Sequence, residues 1–235
     1  MKKILFIFFL TILFKCSKTS ENKEWIFLFS DKNSSFWKAY NGDNLPKKWK
    51  ITNNLLTFDT DFKLESEYTK GSDIVFSKEE FGNFELYLEW KLPKGGNSGI
   101  FYHLKEGYEE ISEVAPEYQL LDDEGWEELN NAKLSSWQKA GADYAMHSPD
   151  TEIKILNPSG EWNSTKIIFT KEKVEHWLNG QKILSFVPWS EDWYERKKKG
   201  KWKNSNFYGK FKTGYIGLQD HNSSISFRNM KIRKL

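Results

Sequence analysis

The 235-residue sequence has few of the groups that mark disulfide scaffolds, metal sites or nucleophilic hydrolases. It contains one cysteine and four histidines. A single cysteine cannot form an internal disulfide, so no disulfide framework holds the fold. No H-E-x-x-H or C-x-x-C pattern, nucleophile elbow or phosphate loop occurs. The formal net charge is only +2, which gives no electrostatic case for binding nucleic acid or a charged membrane surface.

The N-terminus carries an apolar run after a basic start. Ile4–Phe14 is too short to cross a bilayer, which takes ~20 apolar residues. The pattern predicts a lipoprotein-type export signal over residues 1–16, lipidated at Cys16, followed by a polar tether over residues 17–24. Membrane contact would then be through the lipid anchor alone, in the periplasm or at the outer membrane. Lys15 departs from the small residue usual before a lipidated cysteine, so an ordinary secretory signal is the alternative.

Residues 25–235 are predicted to form one all-β domain, and about 210 residues are enough for a sandwich with a real core. Phe84–Leu92 alternates apolar and polar side chains, as in a strand with one buried face. Asn179-Gly180 supplies the positive-φ pair of a tight hairpin turn. Strands recur at regular spacing without intervening helices, which indicates an antiparallel β-sandwich.

Four local predictions accompany this fold. Thr165–Thr170 and Val174–Leu178 should form a hairpin, and Glu124–Lys139 has room for one or two helical turns. Tyr215–Asp220 and Ser224–Arg233 should form a last hairpin. The charge run Glu195–Lys203 is typical of a solvated loop.

The stretch from Gly95 to Asp123 is predicted to organise the chain as two strands joined by a polar loop. Its glycine-rich start lets another group approach the backbone closely. In the second strand Glu117 and Gln119 share one face, roughly 6–7 Å apart, about the width of a sugar ring. The alternative is that this second strand is an edge strand whose polar face is exposed to solvent.

Further polar groups lie on other predicted strands. Alternation places Gln219 and His221 on one face and Asp220 on the opposite face. His176 shares its face with apolar neighbours, which favours a core histidine. Trp162 precedes a strand, where it could stack on a sugar or only pack. The aromatic content of 17%, with 11 tryptophans, suits both β cores and sugar platforms.

Six short motifs occur in one order along the chain: Phe84-Glu-Leu-Tyr-Leu-Glu-Trp90, Gly96-Asn-Ser-Gly-Ile100, Glu117-Tyr-Gln-Leu-Leu-Asp122, Gly160-Glu-Trp-Asn163, Glu175-His-Trp-Leu-Asn-Gly180 and Gly217-Leu-Gln-Asp-His221. Together they resemble the 3-keto-disaccharide hydrolase family over the whole of Trp25–Leu235. The resemblance implies a concanavalin-like jelly roll. It also implies an exported protein whose substrate is a 3-keto-glycoside, made by a separate NAD- or flavin-dependent sugar 3-dehydrogenase.

The chemistry that the resemblance implies is elimination followed by hydration. A ketone at C3 acidifies the C2 proton, a base removes it, and the enolate expels the aglycone from C1. Water then adds to the enone. Glu117 is the expected base or metal ligand, with His176 and His221 as the other proton-transfer groups. The expected substrate-binding residues are Asn97, His103, Gln119, Asp122, Tyr144, Trp162, Gln219 and Asp220.

Two further predictions and two alternatives complete this interpretation. Glu117 and at least one of His176 and His221 should border a single pocket, with Trp162 or Tyr144 on its wall. No cofactor is required by the sequence, although a divalent cation could stabilise the enolate. The same residues would also suit a non-catalytic, lectin-like surface lipoprotein, because a fold does not fix function. A structural lipoprotein with a degenerate site is the remaining alternative.

Overall fold

A computed structural model describes residues 24–30, 32–60 and 72–235. It confirms the predicted all-β jelly-roll sandwich, in which two antiparallel sheets enclose one main core. The predicted export signal, the lipidation at Cys16 and the tether up to residue 23 lie outside the described residues. No helix in the described ranges is long and apolar enough to cross a membrane.

The strands are β1 (Ile26–Phe27), β2 (Trp37–Ala39), β3 (Trp49–Thr52), β4 (Leu55–Phe58), β5 (Ile74–Phe81), β6 (Phe84–Lys91), β7 (Asn97–Leu104), β8 (Glu117–Leu121), β9 (Asn163–Phe169), β10 (Val174–Leu178), β11 (Gln181–Phe186), β12 (Gly214–Leu218) and β13 (Ile225–Lys234). The helices are α1 (Asp123–Asn130) and α2 (Glu191–Lys199), with 3-10 turns at Ser34–Phe36, Ile111–Glu113, Ser136–Gln138 and Lys201–Asn204.

The larger sheet has the order β11-β10-β9-β6-β13-β4-β3, with β1 also paired to β13. Its inner face is apolar because β6 alternates strictly, burying Phe84, Leu86, Leu88 and Trp90. On the outer face, Glu89 of β6 pairs with Arg228 of β13 across the strands (2.6 Å). Such cross-strand pairs reinforce a register that the hydrophobic pattern already specifies.

The smaller sheet has the order β2-β5-β12-β7-β8. Ile100, Tyr118 and Leu218 face the main core. Its outer face is also covered, because a second apolar cluster that includes Phe101 and Ile111 lies there. Consequently β8 is buried at every position. Two polar side chains of β8, Glu117 and Gln119, are therefore enclosed on the covered face rather than wet.

Several local predictions are confirmed. The β9–β10 and β10–β11 pairs are antiparallel hairpins, and the second turns at Asn179 (φ 47°) and Gly180 (φ 82°). The helical turns expected within Glu124–Lys139 are α1 and the 3-10 turn Ser136–Gln138.

The predicted last hairpin is wrong. β12 lies in the smaller sheet and β13 lies in the larger one, so the segment between them crosses from one sheet to the other. Sequence alternation describes each strand alone and carries no information about which sheet a strand joins.

The predicted solvated loop over the charge run is also wrong. Most of the run belongs to α2 and to the 3-10 turn Lys201–Asn204. Ser190 caps α2 by accepting the N–H of Trp193 (3.2 Å). Acidic residues occupy the first turn and basic residues the last, which complements the helix dipole. Buried Trp193 then anchors the helix to the core.

Candidate active site

Four positions lie side by side across the outer face of the smaller sheet. Gly99 of β7 pairs with Gln119 of β8. Gln219 follows β12 and donates its N–H to the Gly99 carbonyl (3.0 Å). On its other side β12 pairs Leu218 with the residue after Asp73, which sets Gln219 beside Asp73. The row is therefore Asp73, Gln219, Gly99, Gln119, with adjacent strands ~4.8 Å apart.

The glycine in this row leaves a space that the Glu117 side chain fills. A Cβ added to Gly99 would lie 2.0 Å from Glu117 Oε1 and 2.7 Å from its Cδ. The carboxyl group of Glu117 therefore lies over Gly99, between Gln119 and Gln219. The glycine was expected to permit a close approach; the group that approaches is this carboxyl.

The Glu117 carboxyl group is buried in the protein interior. Its exposed fraction is 3%, and Oε1 has no hydrogen-bond partner. Burial raises its pKa to about 8, although the Lys201 ammonium opposes the rise, and the charges of Asp73 and Asp143 add to it. A buried carboxyl with a pKa near neutrality and an unpartnered oxygen is typical of a proton-transfer group.

An aromatic and cationic wall stands beside Glu117. Tyr144 follows an extra strand-like segment that pairs with β8, and its N–H donates to the Glu117 carbonyl (2.9 Å). The Lys201 ammonium lies 4.5 Å from the centre of the Tyr144 ring. Trp137 stands edge-on to the same ring, 5.7 Å away, and is 36% exposed. This wall combines a cation with an exposed ring face.

Three predicted site residues form a hydrogen-bonded chain at the other end of β8. The Gln119 amide donates to Asn97 Oδ1 (3.0 Å), and the Asn97 amide donates to His221 Nδ1 (3.3 Å). His221 itself is exposed. The structure thus places Asn97, Gln119 and His221 at one end of the same face.

A cleft of about 420 Å³ opens at this end of the sheet. Asp73, Gln219, Asp220 and His221 all line it. The prediction that Asp220 faces away from its two neighbours is therefore wrong. The strand ends at Leu218, after which Asp220 Oδ1 accepts the Asn222 N–H (2.9 Å) in a tight turn.

Two carboxyls in the cleft are closely linked. Asp220 donates its backbone N–H to Asp73 Oδ1 (2.8 Å). Burial raises the pKa of Asp73 to about 7, and the charges of Asp220 and Glu110 add to the rise. Asp220 Oδ2 and Gln219 Oε1 are buried without partners. The cleft therefore offers unused acceptors beside a second carboxyl that titrates near neutrality.

His176 is not brought to this face. It lies wholly buried in the main core, where its Nδ1–H donates to the Gly141 carbonyl (3.0 Å) and its ring contacts Tyr118 (4.7 Å between centres). Glu117 and Tyr118 are consecutive on β8 and point to opposite faces. Burial lowers the pKa of His176 to about 4, so the ring stays neutral at physiological pH.

A buried hydrogen-bonded pair lies close to His176. His147 Nδ1 donates to Asp143 Oδ2 (2.8 Å), and both residues are buried. Asp143 pairs with Tyr118 in an isolated bridge, and its charge acts on Glu117 through the sheet edge.

Two other predicted residues also lie away from the row. Trp162 lies between Lys91 and Arg228 on the outer face of the larger sheet. His103 is buried at the far end of β7 against Phe169, and burial lowers its pKa to about 4. Alternation alone could not separate these positions from the site, because it does not reveal which sheet surface they reach.

Asp122 borders a different cleft. It accepts the Gly95 N–H (2.8 Å) and lines a space of about 700 Å³ beside α1. That cleft is larger, but its buried charges, Asp123 and Lys154, already pair with each other (2.5 Å). The two buried charges of this cleft therefore compensate each other, unlike the Glu117 carboxyl.

The described ranges contain no group of three or more His, Cys, Asp or Glu side chains placed to hold a metal ion.

The sequence matches the family described as "3-keto-alpha-glucoside-1,2-lyase-like domain" over residues 24–233. It is also 31% identical, over 231 residues, to a 3-keto-disaccharide hydrolase of Bacteroides thetaiotaomicron, covering 90% of this chain and 78% of that protein. The chain belongs to the 3-keto-disaccharide hydrolase family. This confirms the resemblance carried by the six motifs.

Solved structures agree with this assignment. A protein from Parabacteroides distasonis, described as a candidate glycosyl hydrolase, superposes with a TM-score of 0.80 at 38% identity, covering 90% of this chain and 94% of that one. A second such protein from the same organism gives a TM-score of 0.59 at 27% identity, covering 85% and 99%.

The sequence did not predict two residues of the candidate site, Lys201 and Asp73. Lys201 belongs to the charge run Glu195–Lys203, and no feature of the sequence distinguishes it from the other basic residues of that run. Asp73 precedes an apolar strand and matches none of the six motifs. Strand order places Asp73 near Glu117, and the packing of the turn after α2 places Lys201 there.

Proposed function

We propose that the protein cleaves 3-keto-glycosides at the outer face of the smaller sheet, with Glu117 as the base that removes the C2 proton. The observation that carries this proposal is the Glu117 carboxyl itself, which is buried over Gly99 with an unpartnered oxygen. A carbon acid needs a stronger base than an ordinary surface carboxylate. Burial that raises the pKa of Glu117 to about 8 provides one.

The surrounding groups suit the rest of the reaction. Removal of the C2 proton places negative charge on the C3 oxygen. We assign its stabilisation to the Lys201 ammonium, whose charge acts on Glu117, and to the Gln119 amide on the same strand. Gln219 and Asn97 offer hydrogen bonds to sugar hydroxyls. Trp137 offers an exposed ring for the apolar face of a sugar. His176 has no part in this proposal because it lies on the other side of β8.

The enolate then expels the aglycone from C1, and water adds to the enone to give the free 3-keto sugar. An ordinary glycosidase flanks an oxocarbenium-like centre with two carboxylates. In the proposed reaction the C3 ketone allows an enolate to form, so the bond at C1 breaks without an oxocarbenium-like transition state. Since the substrate must already be oxidised at C3, a separate sugar 3-dehydrogenase has to supply it.

The first test compares a 3-keto-glucoside with its unoxidised parent in deuterated water. The keto compound should be cleaved and should acquire deuterium at C2, while the parent should stay intact and unlabelled. Cleavage of the parent at a similar rate would exclude a keto-dependent mechanism. Binding of both compounds without labelling or cleavage would instead favour a carbohydrate-binding module.

The pH dependence provides a second prediction. Glu117 must be ionised to act as a base, so kcat/KM for a 4-nitrophenyl 3-keto-glucoside should rise with pH and level off above about 8. Lys201→Met removes the charge that opposes the raised pKa of Glu117, so the rise should move to higher pH. Lys203→Met, in the same 3-10 turn, is the matched control. An unchanged profile in Lys201→Met would contradict the assignment of Glu117.

A further inference from the structure

We propose that Asp73 is a second catalytic residue, the acid that gives a proton to the departing glycosidic oxygen and later takes one from the attacking water. This inference rests on the proposed function, because it completes the elimination that Glu117 begins. Asp73 lies outside all six of the sequence motifs described above.

The position of Asp73 in the row is the first argument. Asp73 and Gly99 stand on either side of Gln219, two strand spacings or ~10 Å apart. The Glu117 carboxyl lies over Gly99, so the two carboxyls lie on opposite sides of Gln219 in the row. A sugar ring seated there would present C2 to one carboxyl and the substituent of C1 to the other.

The cleft is the second argument. Asp73, Gln219 and His221 line it, and its volume is about 420 Å³. A leaving group attached at C1 needs an open path beside the acid, and this cleft provides it. Glu117 is buried over Gly99, on the other side of Gln219 from Asp73, as expected for a base that works on the sugar ring rather than on the leaving group.

The fixed geometry of Asp73 is the third argument. Its Oδ1 accepts the Asp220 N–H (2.8 Å), which orients the carboxyl and leaves Oδ2 to carry a proton. The acidic groups around it are Asp220, Glu110 and Glu117, with Glu109 further along the cleft, which His221 also lines. These acids disfavour a second negative charge and help Asp73 to stay protonated near neutral pH.

The proton balance closes over one turnover. The Glu117 carboxylate takes the proton from C2, the C1–O bond breaks, and its electron pair goes to the glycosidic oxygen. That oxygen receives the Asp73 proton, leaving an enone and the free alcohol. In hydration Asp73 takes a proton from water as the oxygen bonds to C1, and Glu117 returns its proton to C2. Both carboxyls return to their starting states.

The test uses Asp73→Asn with two leaving groups. The asparagine oxygen can still accept the Asp220 N–H, so the local fold is kept. Cleavage of a methyl 3-keto-glucoside should fall by ~10²–10⁴-fold, because an alkoxide leaves poorly without a proton. Cleavage of the 4-nitrophenyl analogue, measured against an enzyme-free blank, should fall far less. Glu172→Gln, in the exposed turn after β9, controls for the loss of one negative charge.

Deuterium exchange separates this inference from the proposed function. Asp73→Asn should still exchange the C2 proton of the methyl compound while failing to cleave it. Equal losses for both leaving groups, or no loss for either, would overturn the role of Asp73 even if exchange persists. Absence of exchange in the unmodified enzyme, or normal exchange in Glu117→Gln, would instead overturn the proposed function itself.

Discussion

Glu117→Gln should lower the rate of 3-keto-glycoside cleavage by ~10²–10⁴-fold, the usual cost of losing a general base. The substitution keeps the size of the side chain and removes only its ability to accept the C2 proton. The loss should appear for alkyl and aryl leaving groups alike, since proton removal precedes departure of either. Deuterium exchange at C2 should fall in parallel with cleavage.

Stability measurements provide the control for this variant. The pKa of Glu117 is raised from 4.5 to about 8 in the folded protein, so the folded state binds more protons than the unfolded state between those values. The free energy of unfolding should therefore fall as pH rises through that interval. Glu117→Gln lacks this dependence and should gain stability relative to the unmodified protein toward pH 8. A variant that unfolds more easily at pH 8 would mean that the lost activity reflects damage to the fold.

Gly99→Ala should lower kcat by roughly 10²-fold, the effect of displacing a catalytic group by about 1 Å. The new Cβ would lie 2.0 Å from Glu117 Oε1, so the carboxyl has to move away from residue 99. Gly82→Ala is the matched control, because its Cβ would meet the nearest atom, Thr213 Cγ2, at an ordinary 3.4 Å. Neither glycine has a positive φ, so backbone strain does not separate the two variants.

A double variant shows whether the glycine acts through the carboxyl. If Gly99→Ala works only by displacing Glu117, adding it to Glu117→Gln should cause little further loss of activity. If the loss of activity in the double variant equals the product of the two single losses, the alanine at 99 harms substrate binding independently of Glu117. Rates and Tm values of all four proteins, measured together, decide between these results.

Much of the fold could be predicted because the buried faces have a clear period. β6 alternates without a break from Phe84 to Lys91, and the Asn179-Gly180 turn sets the register of its hairpin. The last hairpin was predicted wrongly for a physical reason. β12 and β13 are adjacent in sequence, but they belong to different sheets. The local alternation of apolar and polar residues does not show which distant strand each one pairs with.

The site could be predicted only in part. Glu117 and Gln119 follow from alternation on one strand, and both lie on the outer face. Asp73 and Lys201 come near Glu117 only because β12 lies between β5 and β7 and because α2 ends beside Tyr144. His176 shows the converse case. Its apolar strand neighbours predicted a core position, and the structure confirms that position despite the motif around it.

The space above Gly99 links two positions that otherwise look independent. As long as a glutamate at 117 is needed for turnover, any side chain at 99 is selected against, whatever its effect on folding. Once that glutamate is lost, the three atoms nearest to an added Cβ at 99 are lost with it, and the main obstacle to replacing the glycine is gone. The pair at 99 and 117 should therefore change together among relatives. A glycine retained beside a substituted 117 would identify a lineage that lost its base recently.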